Sequence, residues 1–497
     1  MSLLKKLAGE TAIYGTSSIL SRLLNFVILT PLLTREFEEG GYGIVSDLYA
    51  WAALLMVLFT YRMETTFFRF GNRKEDLERS YATASFSLIA SPSVFLTLFW
   101  VLAPEIAAWL QYPDHPEYVR WFALIIAFDT LAAIPFARLR LENRPIYFAV
   151  VKTLNIVVNI AFIYFFFRVC PWLSDRGYEW ASALFQEEYK VGYVVVSNLI
   201  ASTSVLLLLI PEYRKLRWQF DGVLWRRMMR YAAPLIIVGI AGVINQLVGI
   251  PMLKRFASDD LNYNLAMAGT YGAAAKLAVL MNLFTQAFNY AAEPFFFRHS
   301  EREDKATVYA QVGQGFALVG SLAFLGIMLY MDIVKYYLGE DLRGGIGVVP
   351  LLLLAYLMLG LYYNFSIWYK LADRTGIGGY IAVGGSIITI SLNYWLIPEQ
   401  EYMAPGWAAL ACYTFMAGVS YWTGQRYYPI HYPIGRMLTY ILVAVGLYGL
   451  SIYTESTLQP SFWAGLALNS VFMLVYLTFI ALLEREQLRQ LVSALKR

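Results

Sequence analysis

The chain has 497 residues, 59% of them hydrophobic and only 15% charged. A soluble chain carries about 25% charge, so this composition excludes an ordinary water-soluble globule. The net charge of +4 is mild, and no nucleic-acid partner is expected from it. Two cysteines, Cys170 and Cys412, supply neither a disulfide framework nor metal-ligand spacing. No Gly-rich phosphate loop with its Lys-Ser/Thr occurs, so no ATPase and no cofactor are expected.

Apolar runs of about 20 residues, enough to cross a hydrocarbon core, recur along the whole chain. The opening "MSLLKKLAGETAIYG" has no short apolar run ending in a cleavage site, so it reads as the start of the first helix and not as a signal peptide. In chain order the apolar segments lie near 11–33, 42–66, 81–103, 119–137, 147–167, 191–210 and 232–253, then near 266–292, 310–331, 348–369, 378–397, 403–422, 437–453 and 462–483. The expected fold class is an all-α polytopic membrane protein with about fourteen transmembrane helices. The connections are short, and no soluble domain is inserted. With the N-terminus in the cytoplasm, most lysines and arginines fall in cytoplasmic connections and tails. That bias follows the positive-inside rule and predicts two cytoplasmic termini. The densest basic patch, "PEYRKLRWQFDGVLWRRMMRY" (211–231), reads as a topology anchor and linker, with anionic lipid headgroups as a sharper alternative.

Two phrases recur. At a constant offset of 229, Tyr42, Gly43, Leu48, Leu54, Phe59, Tyr61, Glu64, Phe67, Phe68 and Arg69 are repeated within 271–298. At an offset of 220, Asn25, Pro31 and Arg35 meet Asn245, Pro251 and Arg255. Segments 1–2 therefore correspond to segments 7–8. An even number of helices separates the copies, so the pseudo-repeat is parallel, and transporters built this way hold substrate between their halves. The expected organisation is a six-helix lobe over 1–210, a basic linker over 211–231, a second six-helix lobe over 232–423, two further helices over 437–483 and a cytoplasmic tail over 484–497.

A charge at the bilayer centre costs at least about 2.5–3.5 kcal/mol on insertion scales. Such residues face a bundle interior or a watery cavity. Arg22, Arg62, Lys152 and Lys276 fall in segments 1, 2, 5 and 8, and Asp47, Glu64, Asp129 and Glu293 are their acidic counterparts. Arg22 and Asn25 share a helix face at i, i+3. Asn282 and Gln286 lie on a polar stripe that also takes in Asn289 and Glu293, whereas Lys276 points about 120° away from it at 100° per residue. Asp47 and Arg62 fall about 60° apart on a continuous helix. One reading is a cationic cleft between the lobes for a phosphate-bearing substrate, since guanidinium forks and ammonium charges match phosphate oxygens. The other is that each charge is paired with a neighbouring helix and only holds the bundle together. Glu64 and Glu293, equivalent under the repeat, are expected to gate. Asp129 is a candidate proton or sodium site. The histidines, His115, His299 and His431, lie in or near connections and form no relay.

The stretches "LAGETAIYGTSSILSRLLNFVILTPLLTREF" (7–37), "GYGIVSDLYAWAALLMVLFTYRMETTFFRF" (41–70) and "NLFTQAFNYAAEPFFFRHSERED" (282–304) resemble the polysaccharide transporter, or Wzx-type, flippases of the multidrug/oligosaccharidyl-lipid/polysaccharide flippase superfamily. The resemblance implies two six-helix lobes around a cleft with two extra helices. It implies movement of undecaprenyl-diphosphate-linked oligosaccharide across the bacterial inner membrane, coupled to protons or sodium, for a surface antigen, capsule or exopolysaccharide. In the related lipid II flippases, arginines on helices 1, 2 and 8 and an acid on helix 2 line the cleft. Arg22, Arg62 and Asp47 fit those places, and Asn25 and Asn245 belong with them in the binding set proposed for this chain. Lys276 stands where an arginine is expected, which keeps the charge and loses the fork. Partners implied are the lipid-linked glycan, the coupling ion, membrane lipids and other polysaccharide assembly proteins, with a monomer as the working unit. Two other readings stay open. An ion-coupled multidrug exporter would favour an acidic or apolar cavity. A membrane glycan transferase or polymerase would need catalytic acids in larger outer loops than these, so no enzyme activity is expected.

Overall fold

The computed structural model describes residues 22–217, 219–298, 303–372 and 374–485, apart from the side chains at 74, 293, 294, 297 and 298. Among the described residues every regular element is helical. In hydrocarbon no water is available to satisfy backbone N–H and C=O groups, so an uninterrupted helix is the cheapest way across.

In the first half of the chain the main helices are α1 (Thr30–Glu36), α2 (Glu39–Thr60), α3 (Met63–Phe70), α4 (Lys74–Val101), α5 (Ala103–Trp109), α6 (Pro116–Leu141), α7 (Pro145–Tyr164), α8 (Lys190–Arg214), α9 (Gly222–Leu247) and α10 (Gly249–Phe256). Then come α11 (Leu261–Arg298), α12 (Lys305–Leu329), α13 (Val349–Phe365), α14 (Thr375–Gln400), α15 (Ala404–Tyr427), α16 (Ile434–Leu458) and α17 (Phe462–Leu483). Among the described residues eleven stretches are long and apolar enough to cross a membrane, and one of them, Thr375–Tyr427, holds both α14 and α15. Helix α11 occupies the place of the eighth expected segment. A π-helical turn, Asn25–Leu29, and α1 occupy that of the first. Only 22% of the apolar window of Phe462–Leu483 is buried within the protein, and Trp463, Leu474 and Leu482 stand outward. A lipid environment accounts for such a surface, and the chain is a multi-pass membrane protein.

One expectation changes. Segment 2 is not one helix over 42–66: α2 ends at Thr60, and Tyr61 (φ 31°) and Arg62 (φ 54°) are both left-handed before α3 begins. Apolar periodicity carries no trace of this break, because neither residue is the glycine that such a conformation favours. The basic stretch 211–231 is largely helical, with only 215–221 lying between α8 and α9. Asp221 starts α9 by accepting the N–H groups of Val223 and Leu224, each at 2.9 Å. Arg226, Arg227 and Arg230 then extend the helix beyond its apolar part.

The chain divides into two compact units, Met1–Ala273 with Thr389–Pro405, and Ala274–Ile388 with Gly406–Arg497. In the first, α6 is the central helix, with 72% of its apolar window buried, packed against α4 and α8. An ionic frame closes one end of that bundle. Arg138 reaches Glu78 and Glu142, each at 2.6 Å, and lies 4.3 Å above the Tyr81 ring. Glu212, buried, takes Arg144 at 2.5 Å and Lys215 at 2.8 Å. In the second unit α12 packs against α13, α16 and α17. Phe316 of α12 fills the space over Gly360 of α13 and stacks on Phe284 at 5.3 Å. Gln314 donates to Tyr440, which donates to Oε1 of the buried Glu484, linking α12, α16 and the end of α17 by hydrogen bonds.

Candidate functional site

The first polar constellation sits where α2, α10 and the 101–116 connection meet. Asp47 is fully buried on α2, and its Oδ2 accepts from Lys254 Nζ at 2.8 Å and Tyr112 Oη at 2.9 Å. Lys254, only 3% exposed, also donates to the Leu110 carbonyl and lies 3.6 Å from the centre of the Tyr112 ring. The neighbouring Arg255 donates to the Trp109 carbonyl at 2.9 Å and stacks over that indole at 4.2 Å. Asn264 braces the end of α10 by donating to the carbonyls of Lys254 and Ser258, at 3.0 and 2.8 Å. The backbones of α2 and α11 come together beside this pair. A Cβ on Gly43 would lie 2.0 Å from the Leu265 carbonyl oxygen, and one on Gly269 would lie 1.9 Å from that of Glu39. Gly272, the repeat counterpart of Gly43, faces Ser46 in the same crossing. Small residues let helix backbones approach where association relies on packing and not on hydrophobic burial.

A second constellation lines a cavity of about 310 Å³ inside the first unit. Glu64 of α3 pairs with Arg140 of α6, and Asp129 of α6 and Lys152 of α7 face the same space with Asn155. Lys152 Nζ lies 4.3 Å from the centre of the Phe136 ring, and Arg140 stacks 4.6 Å over Phe68. Asp129, Arg140 and Arg22 are all within electrostatic reach of Lys152. Two acids and two cations thus line one cavity.

Arg62 stands apart from both. Its guanidinium packs over Gly239 of α9, where a Cβ would come within 2.6 Å of Nε. Its side chain makes no hydrogen bond or ion pair to a described residue. The left-handed break at Tyr61 and Arg62 takes Arg62 out of the α2 helical register, so the separation of about 60° from Asp47 on a continuous helix does not apply, and Asp47 is held by Lys254. Asn245 is buried on α9 and accepts from Thr389 at 3.4 Å. Arg22 and Asn25 are exposed at the start of the described chain. In the second unit, Gln286 donates to Asn282 at 3.0 Å, and Lys276 makes no hydrogen bond or ion pair to a described residue. The side chain of Glu293 lies outside the described residues.

The structure therefore gathers Glu64, Asp129 and Lys152 around one cavity, with Arg22 within electrostatic reach of Lys152, and leaves Asp47 outside it. Three participants escaped the sequence reading. Lys254, at the edge of its apolar segment, looks like an ordinary interfacial cation, and Arg140 like a positive-inside charge. Tyr112 lies in a Pro-rich turn that carried no signal for a buried acid's partner.

Comparison with known families bears on this arrangement. The family model described as "Polysaccharide biosynthesis protein" matches residues 7–300, more than half of the chain. The chain belongs to this family. Both constellations lie within the residues matched, so they are features of the polysaccharide biosynthesis protein region itself. Comparison with curated proteins finds no match. Among solved structures, the chain is similar to the lipid II flippase MurJ in an inward closed conformation, at 14% identity and a TM-score of 0.73, over 96% of this chain and 99% of that one. It is similar to an inward-facing multidrug resistance MATE family transporter of the MOP superfamily, at 10% identity and a TM-score of 0.63, over 81% and 94%. A Vibrio cholerae MATE transporter, VcmN, matches at 11% identity and a TM-score of 0.55, over 85% and 97%. At these identities the likeness establishes a shared fold.

Proposed function

We propose that this member of the polysaccharide biosynthesis protein family is a flippase. It carries undecaprenyl-diphosphate-linked oligosaccharide from the cytoplasmic to the outer leaflet of a bacterial inner membrane, by alternating access, for surface polysaccharide assembly such as O-antigen or capsule. The observation that carries the reading is Arg62. It is a membrane-helix guanidinium held on a left-handed break, with no acid or hydrogen-bond acceptor of its own among the described residues. A diphosphate supplies the missing charge in bidentate form. Lys276 offers a second uncommitted cation.

In the two-lobe reading, with both termini cytoplasmic, α2 belongs to the first lobe and α10 to the second, and both meet at the outer side. The Asp47–Lys254 pair is then a lock that closes the outer side while substrate loads from the cytoplasm. Asp129, facing Lys152 in the inner cavity, is the proposed site of proton or sodium coupling. Glu64 and Glu293 are the gating acids, with Glu64 held by Arg140.

The test is transport in liposomes of undecaprenyl-diphosphate oligosaccharide under an imposed ion gradient, with wild type and Arg62→Ala side by side. Gradient-dependent movement lost in the variant supports the reading. No movement of any glycan by wild type shifts the function to export of amphiphilic cations, which the acids in the inner cavity favour. Movement in both proteins removes Arg62 from the substrate path.

A further inference from the structure

A second cavity, of about 240 Å³ and lined by apolar side chains, lies in the first unit between α2, α4, α5 and α6. Leu48 and Trp51 of α2, Phe99 of α4, Trp109 and Leu110, and Phe122 of α6 form its walls. On α2 it extends from Leu48 to Phe59, which at the helical rise is about 16 Å. That is roughly half of a hydrocarbon core of about 30 Å, the depth of one leaflet. An apolar space offers water no partners, and left empty it forfeits the contacts of its lining.

Two arginines lie next to residues of its walls. Arg255 lies over Trp109, a wall residue, at 4.2 Å. Arg120, one residue beyond the wall residue Val119, lies 5.7 Å over Trp100, one residue beyond Phe99. Neither guanidinium has an acidic partner among the described residues, and the buried Nε of Arg120 has no hydrogen-bond partner there. An apolar slot of one-leaflet depth, flanked by aromatic rings and by arginines that have no acidic partner among the described residues, has the form of a phospholipid: hydrocarbon inside, phosphate on the guanidinium groups at the interface.

We infer that this slot binds one acyl chain of a phospholipid from the adjacent leaflet, with the lipid phosphate on Arg255 and Arg120, and that an occupied slot supports the Asp47–Lys254 pair. The link is covalent. Trp109 and Leu110 wall the slot, and their carbonyl oxygens accept from Arg255 and Lys254. A chain packed against these two side chains holds both acceptors in place. A polyprenyl chain of eleven isoprene units overruns a slot of this depth, which favours the shorter acyl chain. The inference concerns a resident lipid and stands whether or not the protein moves an oligosaccharide.

The experiment uses the full chain in nanodiscs doped with a phosphatidylglycerol whose acyl chain carries a diazirine, with labelled residues mapped by mass spectrometry. Saturable labelling of peptides containing Trp51, Phe99 and Trp109 is expected. It should fall several-fold in Ala52→Trp, which fills the slot, and in Arg255→Gln, which leaves the slot open and removes a flanking charge. Unsaturable labelling, spread equally over all lipid-facing helices, would make the slot ordinary annular surface and overturn the inference. Preferential labelling by a polyprenyl-diphosphate diazirine would overturn the choice of phospholipid. Hydrogen exchange over 101–116 reads the second half. It should slow several-fold when phospholipid is returned to delipidated protein, and an unchanged rate would sever the slot from the ion pair.

Discussion

Lys254 Nζ lies 2.8 Å from Asp47 Oδ2, with Asp47 fully buried and Lys254 nearly so. Removing one partner of a buried pair leaves an uncompensated charge and costs roughly 3–5 kcal/mol, whereas replacing both with apolar groups is often neutral. Lys254→Met should therefore lower the melting temperature of the detergent-solubilised protein markedly, and Asp47→Leu/Lys254→Met should recover most of the loss. If the pair is a lock that must open, the double variant remains folded yet shifts the balance between open and closed states. Thiol accessibility of a cysteine placed at position 46 reads that shift. Additive single losses in the melting data would deny the coupling.

The glycine crossing makes a separate demand. A Cβ at Gly269 meets the Glu39 carbonyl oxygen, part of a backbone that cannot turn aside as a flexible side chain can. Gly269→Ala should force α2 and α11 apart and make the end bearing Asp47 accessible to water-soluble thiol reagents. Gly242→Ala, at a helical glycine with nothing within 4 Å of the new Cβ, is the control. There the gain in helix propensity should leave stability equal or raise it by up to about 1 kcal/mol. Equal behaviour of the two variants would mean that the crossing does not limit the closure.

Arg62 joins a strained backbone to a lone cation. A left-handed conformation costs a non-glycine residue on the order of 1–2 kcal/mol, and such strain persists where surrounding structure holds it in place. Arg62→Gly relieves the strain and deletes the charge. Its melting temperature should equal or exceed wild type while transport falls at least tenfold. Arg62→Lys should keep part of the transport, having the charge without the fork. A glycine variant that transports normally would show that the break alone is what the protein uses.

Much of this molecule was legible in the chain. Apolar runs long enough to span a bilayer, with few charges inside them, permit little besides transmembrane helices, because lipid offers the backbone no other hydrogen-bond partners. The repeat of Tyr42–Arg69 led to the expectation of related helices in both halves, and the rarity of membrane charges singled out Asp47, Arg62, Glu64, Asp129, Lys152 and Lys276. Pairing was beyond that reading. Which acid meets which base depends on helix ends and crossings, where an error of one residue rotates a side chain by about 100°. Lys254 lies 207 positions from Asp47 in sequence and reaches it only because α10 ends beside α2. The break at Tyr61–Arg62 carries no glycine to announce it, and the walls of the apolar slot come from four helices whose side chains, taken singly, look like any lipid-facing surface. Composition and periodicity report what each helix is; packing, summed over contacts distant in sequence, settles which polar groups are satisfied and which remain open for a ligand.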